Sequence, residues 1–381
     1  MDTDLIDSSD RLRRWCRLAE NGPLAVDTES DHFHAYNPRV CLIQLATAES
    51  TVLVDPLAMD DDEMQPLFEL FEDPSVPKVL HAGRNDINEM DRDWGVGIAN
   101  LFDTRTAARF LGYSKNNLAW LLEELLDVKP APKRSRYNWA TRPISDKALR
   151  YAVGDVHHLL RLYHRFSDEL KSSGWHAPFH QRCEYVAESV KFQPIDFDPD
   201  DWRSIRGVKK LDGTGRATAR RLYLWRHRFC EECNRSPVTI FPNRALKKLA
   251  RHRPDSVGEL REMSGIPARL VEEQADDLIA EIKQARGHDA PPKNSPNTDD
   301  YRPKPDPQQR RIYNELRRWR NTTADRLDIP GEFIATNAVI TDIAADPPTN
   351  LDELAQFDAI LPWHIDMLGE EILRVIQTSS P

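Results

Sequence analysis

The chain has 381 residues, 30% of them charged, with a formal net charge of −10 and a mean hydropathy of −0.63. That length suits two or three domains. No apolar run approaches the roughly 20 residues that span a bilayer, the acidic start Met1-Asp2-Thr3-Asp4 is unlike a secretory signal, and Cys16, Cys41, Cys183, Cys230 and Cys233 form no even, close-spaced framework, so no membrane-spanning helix and no secretory signal are expected, and a reducing cytoplasm is.

In chain order, Leu24–Asp27 reads as a strand and 30–39 as a polar loop. Val40–Thr47 and Thr51–Asp55 read as a hairpin of strands. Helix signals follow at Glu63–Glu72, Asn85–Asp91, Thr104–Leu111 and Asn117–Leu126, with a short strand at Lys78–His81. A basic loop covers Lys129–Arg142, and Ser145 is placed to cap one long helix from Asp146 to Leu170. Hairpin plus β/α alternation predicts a mixed sheet covered by helices. Beyond about residue 175 the pattern is helical, interrupted by the proline-rich stretch Gly287–Pro307.

The two helical blocks resemble each other. Leu224-Trp225-Arg226 matches Arg318-Trp319-Arg320 at an offset of 94, and Pro254, Leu260, Ile266 and Ile282 recur as Pro348, Leu354, Ile360 and Ile376. This predicts a duplicated small domain. Charge separates the copies. Lys and Arg number 14 against 3 Asp and Glu over residues 206–253, but 8 against 13 over residues 304–381. The basic block is where a polyanion would be drawn.

The chemistry sits in residues 1–170, which carry 20 basic against 29 acidic side chains. Asp27 and Glu29, two apart at a strand end, project to one side. Tyr151 and Asp155, four apart, stack on one helix face, and Asp86 comes from a third element. Converging carboxylates repel one another, and two hard cations, Mg²⁺ or Mn²⁺, are the usual remedy. Such a pair suits in-line hydrolysis of a phosphodiester.

Val26-Asp27-Thr28-Glu29, Lys78-Val79-Leu80-His81-Ala82 with Asp86 five residues after the histidine, and Tyr151-Ala152-x-x-Asp155-Val156 together resemble the three motifs of the ribonuclease D family of tyrosine-type DEDD exonucleases. Cys41-Leu42-Ile43-Gln44-Leu45, Phe102-Asp103-Thr104 and Trp139-x-x-Arg142-Pro143-Ile144-Ser145 support it, and the helical blocks resemble paired HRDC domains. The resemblance implies an α/β exonuclease domain of ribonuclease H-like fold at 1–175, a helical connector at 176–212, a basic first HRDC-like domain at 213–287, a linker at 288–307 and an acidic second HRDC-like domain at 308–381. It implies a metal-dependent 3′→5′ exoribonuclease that releases nucleoside 5′-monophosphates and matures the 3′ ends of tRNA precursors and other small structured RNAs. Asp27, Glu29, Asp86 and Asp155 would hold metal, and Tyr151 would orient the attacking water. The expected partner is RNA, with no membrane and no protein partner, and the chain acting as a monomer. Ser30 departs from the Phe that often follows Asp-Thr-Glu, and Met90 from a usual Leu. The alternatives are a related exonuclease acting on DNA and a non-catalytic RNA-binding protein.

Expected RNA contacts are Lys133, Arg134, Arg136 and Arg142 before the third motif, and the strip Arg216, Arg220, Arg221, Arg226, Arg228, Lys247 and Lys248 in the basic block. Trp139 is expected to pack on the core, His81 to satisfy a hydrogen bond, and Asp103 to cap a helix. Cys230-x-x-Cys233 lacks a second pair and is not read as a zinc site. Gly213-Thr214-Gly215 lacks the lysine and spacing of a P-loop and reads as a turn entering a helix.

Overall fold

The computed structural model describes residues 4–130, 136–194, 196–286 and 306–379. Six strands, β1 (Asp4–Ile6), β2 (Leu24–Ser30), β3 (Val40–Ala46), β4 (Thr51–Val54), β5 (Lys78–Leu80) and β6 (Leu101–Asp103), form one mixed sheet in the order β1-β4-β3-β2-β5-β6. The β3–β4 hairpin is antiparallel, with Ile43 opposite Val54 and Ala46 opposite Thr51. β1 pairs with β4, β2 with β5 and β5 with β6, all parallel. Leu24, Ala25 and Val26 are fully buried, the continuous apolar pattern of a strand covered on both faces. The chain turns polar at Asp27, where the strand leaves that cover.

The helices of this part are α1 (Ser9–Ala19), α2 (Asp61–Glu72), α3 (Arg84–Trp94), α4 (Thr104–Phe110), α5 (Leu118–Leu126), α6 (Asp146–Val156), α7 (Leu159–Ser173) and α8 (His176–Ser189). Ser145 caps α6, accepting from the Ala148 N–H. The single helix expected from Asp146 to Leu170 is two. α6 packs on β3 and β4, whereas α7 packs on α4, β5 and α8, so one straight rod cannot serve both surfaces. The chain bends at His157 and His158, where the His157 ring is held by Thr51 Oγ1 at 3.0 Å.

The basic block contains α9 (Gly213–Glu232), α10 (Pro237–Ile240), α11 (Asn243–His252), α12 (Val257–Glu262) and α13 (Ala268–Ala285), around Trp202, Leu222, Trp225, Phe241, Leu246 and Leu278. The acidic block contains α14 (Pro307–Leu327), α15 (Gly331–Ile334), α16 (Asn337–Ala345), α17 (Leu351–Leu354) and α18 (Pro362–Ser379). The duplication extends to a shared interaction. Arg226 Nη1 donates to Phe241 O at 2.9 Å and to Asn243 Oδ1 at 2.8 Å, and Arg320 Nη1 donates to Ala335 O at 3.1 Å and to Asn337 Oδ1 at 2.8 Å. Both pairs of acceptors lie 15 and 17 residues downstream.

The chain divides into two compact units that interrupt each other in sequence. The first holds the described parts of Met1–Glu29, Val40–Gln193 and Pro303–Pro381; the second holds Ser30–Arg39 and the described parts of Pro194–Arg302. Within the first, α15 and α18 are seated against α4 and α8. Phe333 stacks on Phe110 with ring centroids 4.6 Å apart, Arg109 covers Phe333 at 4.5 Å, and the Trp363 N–H donates to Gln181 at 2.9 Å. Within the second, the loop 30–39 is tied to the helical block. The Ser236 N–H donates to His34 O at 3.0 Å, the Asn37 N–H to Asn234 Oδ1 at 2.9 Å, and Tyr36 bonds His227, on whose ring Phe197 lies flat at 3.5 Å.

His364, 1% exposed, fastens the α15 turn. Its Nδ1 accepts from the Leu361 N–H at 2.8 Å, and its Nε2 donates to Phe333 O at 2.7 Å. A second ring proton would face a donor, and burial pushes the imidazole down to about 4. The unfolded chain therefore binds a proton that the folded chain does not between pH 6.5 and about 4. Stability from this group is complete above 6.5 and lost as pH falls through that window, by at most about 1.4 kcal/mol per pH unit. His364→Gln is expected to lower the melting temperature at pH 7.5 and to flatten its decline toward pH 4.5. Parallel pH profiles for the two proteins would refute the assignment.

Candidate active site

The three motifs meet at the open end of β2. Asp27 and Glu29 lie two apart on the strand, half-buried. Thr28 between them reaches to α3, its N–H and hydroxyl both donating to Asp86 Oδ1 at 3.1 and 2.6 Å. The turn into α3 needs Gly83, where an added Cβ would lie 2.5 Å from Leu80 Cδ2. Asp103 fixes that turn as a cap: its Oδ2 accepts from the Gly83 N–H at 2.8 Å and its Oδ1 from the Thr106 N–H at 2.7 Å. On α6 the Tyr151 phenol donates to the Asp155 carboxylate one turn away. Trp139, 3% exposed, donates its indole N–H to Glu29.

The electrostatics are those of negative charges held together out of water. Burial, followed by the charges of Asp86, Asp155 and Glu29, raises Asp27 well above the carboxylate range. Burial and then the Asp155 and Asp86 charges push Glu29 up to about 8. Asp86 rises to about 6 through burial, opposed by the Thr28 hydroxyl. Tyr151 is raised by burial and by Asp155 and Glu29, so at neutral pH it is a phenol and not a phenolate. His81 is bonded to Thr104 Oγ1 at 2.9 Å and pushed down to about 4 by burial, which makes it a neutral wall of the site.

Among the described residues no three carboxylate, imidazole or thiol groups are preset as a metal cage. The donor chemistry fits a divalent cation nonetheless. The ligands are hard oxygens, and the raised affinity for positive charge is what a cation would satisfy. The cleft beside them, about 390 Å³, is bordered by Asp27, His81, Arg105, Asn117, Tyr151 and Asp155. Arg105 and Asn117 were not expected from the sequence. Asn117 reads there only as the start of a helix signal; in the structure it caps that helix, accepting from the Trp120 N–H at 3.0 Å. Arg105 donates to Asn116 at 3.0 Å, and no motif marks it.

Several expected RNA contacts are placed differently. Lys133 and Arg134 lie outside the described residues, and Arg136 is exposed. Arg142 is a structural clamp, its guanidinium holding both oxygens of Asp55 at 2.6 Å and the carbonyls of Trp139 and Cys41 at 2.6 and 2.8 Å. Arg226 is 8% exposed and committed to Phe241 and Asn243, which removes it from any surface strip. Arg221 and Arg228 share Glu281 at 2.7 and 3.4 Å. Arg216 donates to Leu211 O, Lys247 to Arg206 O and Lys248 to Ser264 O, at 2.9, 3.2 and 2.6 Å. Arg220 is exposed, with Asp200 at 3.9 Å. Ser30 is 8% exposed with its hydroxyl 3.0 Å from His32 Nδ1.

Residues 4–171 match the 3′-5′ exonuclease family model, and residues 216–282 and 309–376 each match the HRDC domain. Ribonuclease D of Haemophilus influenzae is 32% identical over 278 residues, 72% of this chain and 69% of that protein. The chain belongs to the ribonuclease D family. Ribonuclease D of Cronobacter turicensis is 28% identical over 98% of this chain and 100% of its own length. The crystal structure of Escherichia coli RNase D, described as an exoribonuclease involved in structured RNA processing, superposes with a TM-score of 0.63 at 26% identity over 99% of both chains. The catalytic core of RRP6 from Trypanosoma brucei gives a TM-score of 0.68 at 26% identity over 75% of this chain and 80% of that one. This ribonuclease D relative is accordingly a 3′→5′ exoribonuclease.

In this family member Arg226→Met is expected to cost about 1–3 kcal/mol, because it leaves the buried Phe241 carbonyl without its donor. Its RNA affinity should stay within about twofold of wild type. Thermal melting and filter binding check this; weakened RNA binding at an unchanged melting temperature would return Arg226 to the RNA face.

Proposed function

We propose that the chain trims structured RNAs, among them tRNA precursors and other small RNAs, from their 3′ ends, releasing nucleoside 5′-monophosphates with the help of two divalent ions, Mg²⁺ or Mn²⁺. The observation that carries this reading is the convergence of Asp27, Glu29, Asp86 and Asp155 from three elements, with burial raising Asp27, Glu29 and Asp86 and the charges of the neighbouring acids adding to it at Asp27 and Glu29. These four would hold the ions. A bound pair supplies a clamp on the attacking and leaving oxygens and eases deprotonation of water.

The chain's own groups then have separate tasks. The Tyr151 phenol donates a hydrogen bond to Asp155, leaving its oxygen lone pairs to accept from a water and aim it. Thr28 fixes Asp86 and Trp139 fixes Glu29, so two of the four acids are oriented by donors that cannot ionise at neutral pH. Arg105 and Asn117, on the border of the cleft, are the groups for the terminal phosphate and base edge. The descriptions of the relatives, ribonuclease D and RRP6, support RNA over DNA. The cysteines are free thiols, four of them buried, which supports a reducing cytoplasm. A monomer without a protein partner completes the proposal.

Asp155→Asn is expected to reduce Mg²⁺-dependent trimming of a 3′-extended RNA by at least about a thousandfold; substantial surviving activity would remove Asp155 from the site. Tyr151→Phe should lower kcat by about 10–100-fold, a modest share of acid–base and positioning effects, with RNA affinity nearly unchanged. Paired end-labelled RNA and DNA of one sequence, each with Mg²⁺ or Mn²⁺, report the sugar and metal preference; equal cleavage of both would overturn the assignment to RNA.

A further inference from the structure

Trp139 lies in a stretch, residues 136–145, that is neither strand nor helix, yet it is 3% exposed and adjoins two residues of the site at once. Its indole N–H donates to Glu29. Its ring lies 6.3 Å from the Tyr151 ring, and Tyr137 meets it edge-on at 4.9 Å. No ladder of backbone bonds fixes this stretch. Apolar contact with Leu53, Ile144, Ala148 and Ala152 buries the indole, but such contact has no direction. A hydrogen bond to a carboxylate needs one.

The direction comes from Arg142. Its Nε and Nη2 donate to the two oxygens of Asp55 at 2.6 Å each, and Nη2 donates also to Cys41 O at 2.8 Å. Nη1 donates to Trp139 O at 2.6 Å and to Thr141 O at 3.1 Å. Asp55 is itself fixed. It is 5% exposed, its N–H donates to Ile6 O at 2.8 Å, and its Oδ1 accepts from the Leu57 N–H at 3.0 Å. Cys41 belongs to β3 and Asp55 follows β4 directly, so the guanidinium binds the loop to the hairpin. Trp139 is thereby held at both ends, its carbonyl from the hairpin and its indole N–H against the end of β2. A bidentate guanidinium–carboxylate pair is planar and stiff, whereas a lysine would offer one nitrogen to all these partners.

We propose that Arg142 and Asp55 are positioning residues of the exonuclease: by fixing the Trp139 backbone they aim its indole at Glu29 and keep its ring beside Tyr151, and so set the rate of hydrolysis without touching RNA. The proposal rests on the reading of Glu29 and Tyr151 as site residues. The clamp's shortest bond to the loop goes to the very residue whose side chain reaches Glu29. A shift of Trp139 would therefore disturb the acid on β2 and the phenol on α6 together. Charge argues against a phosphate contact, since Asp55 neutralises the guanidinium at bonding distance.

The test uses the full chain and a short single-stranded RNA. Arg142→Lys, Asp55→Asn and Trp139→Phe are each expected to lower kcat by about 10–100-fold, since a misplacement of about 1 Å can cost that much, with KM within about twofold. Residues that act through one another do not multiply their effects. Arg142→Lys combined with Trp139→Phe should therefore match the slower single variant to within about twofold. In protein carrying isotope-labelled tryptophan and freed of divalent ions, the Trp139 indole N–H resonance is identified by its loss in Trp139→Phe. It is expected to shift in Arg142→Lys and in Asp55→Asn. Should Arg142→Lys fail to fold, Asp55→Asn, which keeps the size of the side chain, takes its place in the double variant. Multiplying effects, or an indole resonance that stays in place while kcat falls, overturn the proposal. So does a raised KM at unchanged kcat, which returns Arg142 to the RNA. If Asp155→Asn keeps its activity, the reading of the site fails, and the indole resonance still decides whether the clamp aims Trp139.

Discussion

Four carboxylates brought together in a half-buried recess are the constraint on which the rest of the site depends. Left to themselves they would swing apart or take up protons. The surroundings prevent the first: Thr28 holds Asp86, Trp139 holds Glu29, and Tyr151 holds Asp155. None of these donors carries a formal charge, so the recess is ordered without being neutralised. Arg105, on the border of the cleft, is turned to Asn116. A fixed arginine beside the four acids would have relaxed them and removed the reason for a cation to enter. The nearby Arg142 is instead spent on Asp55 and on loop carbonyls, building the wall that carries Trp139.

The same economy governs the helical modules. Arg226 and Arg320 perform one task in two copies, tying the long first helix of each module to the start of its third. This shared lock says more about common descent than the charge of either module does, because it specifies a geometry twice. The second copy has become part of the exonuclease unit, with Phe333 against Phe110 and His364 buried beside them. Its acidity therefore records its surface and leaves its internal architecture untouched.

The acids and the tyrosine were legible because spacing within strand and helix dictates which side chains share a face: Asp27 with Glu29, Tyr151 with Asp155. The hairpin and the Ser145 cap were legible for the same local reasons. β1 and β6 are three residues each, too short to show a period, and they exist because β4 and β5 offer edges to pair with. The bend at His157 was invisible because neither His157 nor His158 is a proline or glycine; it follows from which surfaces α6 and α7 must cover. The fate of the arginines was the least legible. Whether a guanidinium faces solvent or a carbonyl depends on partners as far as 15 and 101 residues away, and composition treats both cases alike.

The loop 30–39 has a practical consequence for anyone dividing this molecule. It leaves the catalytic strand directly after Glu29, returns at Val40, and finds its anchors, Asn234, Ser236 and His227, in the basic HRDC module. A fragment ending near residue 193 would keep every acid of the active site, yet strand the very segment adjoining two of them. It would also strip α4 and α8 of the aromatic cover supplied by Phe333 and Trp363. The exonuclease is thus not a detachable head with two accessories: its borders are stitched through the chain, and function and dissection follow different seams.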